Sequence, residues 1–281
     1  MDFGAEAIHR QFLGHYLAAE AVTIAKMAAA MLVSQDAAVA ARYSPQPELK
    51  WRAHFEGWVT DLAAAANTGA PGVFAARMDW CLVAFAARGA PVSDLGSALG
   101  ALKQAVIRHV PVEDVRWLTA VFEVAEARLS VPAADPAGEP LSRLSKLFLL
   151  AVLEGERLRA SRLVREAVAG GVVAPERVAE EVLVPVMREV GRLWHLGELS
   201  VAEEHFATAT VDAVLSQVMT MVTPKARNGL TLIAASVEGN THDLGVKILA
   251  DAFELEGWRT VCLGGSVPVE DLSRAVIDFE A

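Results

Sequence analysis

Aromatic side chains make up only 6% of the 281 residues, and there are just two cysteines. Cys81 and Cys262 lie far apart, each inside an apolar run. That spacing fits neither a disulfide framework nor a thiolate metal cluster, so both are expected to be reduced, buried thiols in a cytoplasmic protein. Basic residues are scarce as well: 25 Lys and Arg against 35 Asp and Glu leave a net charge of −10. No basic stripe offers an electrostatic footprint for nucleic acid, and direct nucleic-acid binding is not expected. The amino terminus has no basic region followed by an apolar stretch, so no signal peptide is expected. The most apolar windows, residues 18–33 and 147–153, are short or interrupted by charge, which argues against a membrane span.

What is abundant is Ala, Val and Leu, within a total of 53% hydrophobic residues. That composition suits packed helices. Residues 3–34 predict one long amphipathic helix with Phe12, Tyr16, Ile24, Met27, Met31 and Leu32 among its apolar positions. After a break at Ser44-Pro45-Gln46-Pro47, residues 48–66 carry Trp51, Phe55, Trp58 and Leu62 at three- and four-residue steps. Further helices are expected over 73–87, from a cap at Ser93 or Asp94 to 109, and from Pro111 to 129. Residues 1–130 therefore read as about five helices in one bundle, a sensor or interaction domain. Its aromatic residues are expected in the core, and His9, His15, His54 and His109 as ordinary helix histidines.

Residues 131–140, with three prolines and a glycine, read as a linker. Four helices should follow within 141–225, over 141–154, 156–169, 174–193 and 201–221. Pro175 suits a helix start and Pro185 should kink the third helix. From 229 the pattern changes to a strand at 230–236, a helix at 246–255, a strand at 260–263, a turn at Gly264-Gly265-Ser266 and a helix to 279. This is the start of a parallel α/β sheet. Two strands cannot bury both faces of a sheet, so a continuation or a partner is expected to complete it.

The chain is organised around Glu238 to Gly245. His242 should lie between a strand's carboxyl end and a helix's amino end, where open α/β sheets bind ligands. A neutral imidazole there can ligate a metal, and an acid or amide two residues earlier can orient it. A plain solvent-exposed loop histidine remains the other reading. Likewise Trp194 reads either as a core residue or as a pocket wall, and Glu203-Glu204-His205 either as an ordinary acidic first turn or as part of a site.

Two motifs occur together: Trp194, nine residues, then Glu204-His205; and Asn240-Thr241-His242-Asp243-Leu244-Gly245, followed by Leu263-Gly264-Gly265-Ser266-Val267-Pro268. Together they resemble a cobalamin-binding module of the CarH-like photoreceptor type, a four-helix cap followed by a flavodoxin-like corrinoid domain. The resemblance covers residues 141–281. The order of helices in 1–130 is similar to the sensor domain of RsbR-type regulators. The resemblance implies cobalamin, as adenosylcobalamin or another alkylcobalamin, with His242 as the lower cobalt ligand. Gly245 would let the helix approach the corrin, and Gly264, Gly265 and Ser266 would lie beside the nucleotide-tail cleft. Asn240 stands where the family has an acid, and Asp243 completes the loop. Trp194 and Glu204 would line the upper pocket, and His205 would be the ligand after light. His195 should face elsewhere.

A mostly α, then α/β protein without catalytic residues is therefore expected, a light sensor and signalling regulator that acts through a protein partner and is open to self-association. A corrinoid carrier of a methyltransferase, or a stable binder of cobalamin or another tetrapyrrole, is the alternative.

Overall fold

The computed structural model describes residues 3–131 and 138–281, with the side chains of residues 3–5 outside that description. The described chain is mostly helical and carries one two-stranded parallel sheet. It divides into two compact units, Met1–Asp135 and Pro136–Ala281.

The first unit contains seven α-helices among the described residues: α1 (Phe3–Ala19), α2 (Ala21–Gln35), α3 (Ala37–Arg42), α4 (Pro47–Thr68), α5 (Pro71–Ala87), α6 (Val92–His109) and α7 (Val115–Arg128). The single helix expected over 3–34 is two, bent by 67°. The junction residue Glu20 bonds the His109 ring at 3.0 Å, and the Tyr16 hydroxyl donates to the His109 carbonyl at 2.9 Å. The end of α6 thus anchors the bend, a long-range contact absent from local periodicity. The buried face also shifts by one residue: Leu13 and Leu17 face the core, whereas Phe12 is 70% exposed. Asp94 does not cap α6. It is buried and takes two bonds from Arg42 at 2.6 and 2.8 Å.

Helix α4 buries Trp51, Phe55, Trp58 and Leu62, at the spacing its sequence shows. Edge-to-face packing joins Phe55 to Trp58 and Phe74 to Phe122, each pair 5.5 Å apart. Cys81 lies in this core, and burial pushes its thiol up to about 12. Cys262, expected buried, is exposed, because it sits on a two-stranded sheet that the described residues leave partly uncovered. No single described helix is long and apolar enough to cross a membrane.

In the second unit, α8 (Arg143–Leu153), α9 (Arg157–Ala169), α10 (Val184–His195) and α11 (Val201–Met219) form a bundle around Phe148, Val164, Leu183, Val186, Val190 and Val211. The stretch expected to link the units falls largely on residues 132–137, outside the described residues. Its end lies on α10, where Glu139 pairs with Arg188 at 3.1 Å. Pro185 sits in the first turn of α10, directly after a π-helical turn at Ala179–Leu183. The wider turn absorbs the missing amide that would otherwise break the expected continuous helix.

Strand β1 (Thr231–Val237), α12 (Leu244–Leu255), β2 (Arg259–Val267) and α13 (Val269–Asp278) follow, with β1 and β2 parallel. Leu244 and Ile248 of α12 pack against the bundle core. This contact places the β1–α12 loop beside α11.

Phe55→Ala should destabilise the first unit by about 3–5 kcal/mol. Phe12→Ala should change it by less than about 0.5 kcal/mol. Denaturant unfolding of the two variants checks which face of each helix is core, and equal losses would contradict it.

Candidate functional site

The β1–α12 loop is held at its backbone. Ser236, buried at the end of β1, donates its hydroxyl to the His242 carbonyl at 2.6 Å. The Asn240 side-chain oxygen accepts the His242 backbone N–H at 3.0 Å. This Asx turn, rather than an orienting bond to the imidazole, is what position 240 supplies. The carbonyl of Asn240 accepts from the Ser266 backbone N–H at 2.8 Å, and the Ser266 hydroxyl accepts from Gly239 N–H at 3.1 Å.

Gly264-Gly265-Ser266, expected as a turn, is the end of β2. It stays paired to β1 through two register shifts, with Ala235 opposite Gly264 and Val237 opposite Val267. Such irregularities re-aim a strand end without ending it. Gly265 is needed for close approach, since a Cβ there would lie 3.1 Å from the Thr241 carbonyl. These three residues therefore buttress the His242 loop from behind.

The opposite wall is α11. Its first turn is fixed by a capping box between Ser200 and Glu203. In the same turn, Glu204 holds His205 Nδ1 at 2.6 Å and accepts the Thr208 hydroxyl at 2.8 Å. A carboxylate only accepts, so Nδ1 is the ring nitrogen that donates to Glu204. Burial pushes the Glu204 carboxyl up. The bonds from His205 and Thr208, with the nearby His205 and His242 rings, outweigh it and hold the group below its usual range.

Between the walls lies a cleft of about 510 Å³, lined by Glu204, His205, Thr208 and Asp212 from α11, Met187 from α10, and the loop from Thr241 to Gly245 with Lys247. His205 of α11 and His242 of the loop thus both line one cavity. Space beside Gly245 is open: a Cβ there would meet no atom within 4 Å. The structure brings Glu204, His205, His242, Asp243 and Gly245 together. Asn240, Gly264, Gly265 and Ser266 stand behind the loop, and half-buried Trp194 ends α10 without lining the cleft.

Sequence reasoning missed Thr208, Asp212 and Lys247. Lys247 bonds Asp212 at 3.1 Å and Asp243 at 3.2 Å, and these partners raise its pKa against the opposing effect of burial. The four-residue step from Asp243 to Lys247 on α12 is a visible signal. Asp212, on another helix, leaves none.

A protein-family model described as "B12 binding domain" matches residues 144–218, which span α8 to α11. The chain is 30% identical over 166 residues to the "HTH-type transcriptional repressor CarH" of Myxococcus xanthus, covering 59% of this chain and 54% of that protein. It is 31% identical over 174 residues to the "HTH-type transcriptional repressor CarA" of the same organism, covering 59% and 57%. It is 27% identical over 114 residues to "Trimethylamine corrinoid protein 1" of Methanosarcina mazei, covering 40% and 52%. The chain thus spans about half the length of these curated relatives.

Because Glu204 is held below its ordinary value, its charge contributes stability above the usual glutamate pKa. That contribution is lost as pH falls through the lowered value. Thr208→Val should raise the Glu204 pKa, read by NMR titration of the carboxyl carbon; an unmoved titration would contradict the bond's role.

Proposed function

We propose that this chain binds cobalamin in the cleft between α11 and the β1–α12 loop and works as a light-responsive regulator rather than an enzyme. The observation that carries this reading is that two histidines from different elements, His205 and His242, line one cavity. The similarity of residues 144–218 to B12-binding domains supports it. A large flat ring fits the open backbone at Gly245.

In this reading His242 is the lower ligand. Its backbone is pinned through Ser236 and Asn240, so the ring is delivered at a fixed depth. Asp243, Gly245 and the Gly264-Gly265-Ser266 segment shape that wall. His205 is the upper donor: its Nδ1 is engaged by Glu204, which leaves Nε2 as the nitrogen that would face the metal. Trp194, at the end of α10, encloses the upper side beyond the cleft lining. Adenosylcobalamin or another alkylcobalamin would supply a light-labile cobalt–carbon bond, whose loss opens the upper coordination position. His205, at the amino end of α11, is the residue that would respond to that loss. The output passes through protein–protein contacts, which the first helical unit, similar in helix order to a sensor domain, is suited to make. The chain is divided into domains accordingly: a helical unit at 1–130, a linker, a cap at 141–225 and a corrinoid-binding segment from 229.

A second reading is favoured by the similarity to a corrinoid protein from Methanosarcina mazei. Under it, this module is a methyl carrier, and the protein would accept methyl groups from a donor enzyme.

Spectra of the protein loaded with adenosylcobalamin in the dark, before and after illumination, separate the two. The proposal expects a light-driven shift to a stable spectrum with two nitrogen axial ligands, lost in His205→Ala. No shift would contradict the sensor, and loss in His195→Ala instead would move the donor to the end of α10.

A further inference from the structure

Within the same cleft, charge is distributed in one direction. Among the described residues that line it, three carry carboxylates, Glu204, Asp212 and Asp243, and one is a lysine or arginine, Lys247. None of these is idle. Glu204 is engaged by His205 and Thr208, and Lys247 is shared between Asp212 and Asp243. The lysine is therefore already matched by two acids from two different elements, α11 and the loop, and its charge is not on offer to a ligand.

Tetrapyrroles differ most at the rim. Porphyrins carry propionate carboxylates there, as does a corrin whose side chains are unamidated, whereas a fully amidated corrin carries neutral amides. A rim carboxylate entering this cleft would meet like charge on Asp212 and Asp243, with the ammonium between them already paired to both. An amide rim meets the opposite situation. Its N–H groups can donate to the spare lone pairs of Asp212 and Asp243.

We infer that Asp212, Asp243 and Lys247 form a rim filter that selects amidated corrins and rejects tetrapyrroles with free carboxylates. This inference rests on the corrinoid reading of the cleft and adds to it which chemical class is admitted. Asp212 and Lys247 are specificity-determining residues here, acting at the rim rather than at the metal.

The test compares two cobalt corrins with the same ring, dicyanocobinamide with amidated side chains and dicyanocobyrinic acid with free carboxylates, by equilibrium binding to the full chain. Cobinamide should bind at least about a hundredfold more tightly. The gap should narrow about tenfold in Asp212→Asn and in Asp243→Asn, each of which removes an acid and loosens the hold on Lys247. Equal binding of the two corrins to the native protein overturns the filter, as does a gap that both variants leave unchanged. If neither corrin binds, the corrinoid reading itself fails and takes the filter with it.

Discussion

The packing of Leu244 and Ile248 against the bundle core is the constraint on which the site depends. Those two side chains lie at the start of α12, immediately after the His242 loop. Burying them sets α12 beside α11, and the gap left between the loop and α11 is the cleft. Neither wall is a binding surface alone. The loop is a short connection of exposed backbone, and the first turns of α11 carry exposed polar side chains. The hydrophobic contact makes one cavity of them, and Lys247 bridges them with bonds to Asp212 and Asp243.

The two walls are ordered by different means. On the loop side the backbone is fixed, by Ser236 at the His242 carbonyl, Asn240 at its amide, and Ser266 at the Asn240 carbonyl. On the α11 side the side chain is fixed, by Glu204 at His205 Nδ1. A histidine held through its backbone keeps its place while its ring stays available. A histidine held through its ring nitrogen has that nitrogen engaged, and its side chain is 75% exposed.

Much of this was legible in the sequence. The steps between Trp51, Phe55, Trp58 and Leu62 predict α4 and its buried face, because helical periodicity is a local property. The run of β-branched residues before Glu238 predicts β1, and with it the position of His242 at a strand's carboxyl end. What was not legible depends on distant partners. The bend at Glu20 comes from His109, the role of Asp94 from Arg42, and the strand state of Gly264 to Ser266 from pairing with β1. The position of Asn240, two residues before His242, suggests a partner for the imidazole. The same spacing lets its side chain accept the backbone N–H instead, and sequence alone does not separate the two.

The central claim is that His242 provides the protein's axial nitrogen to a corrinoid in this cleft. It is tested most directly by electron paramagnetic resonance of the protein loaded with cobalamin in its cobalt(II) form, prepared with histidine of natural abundance and with heavy-nitrogen histidine. The account predicts nitrogen splitting that changes from a triplet to a doublet with the labelled histidine. A triplet that persists with labelled histidine would assign the axial nitrogen to the cofactor's own base and contradict the account.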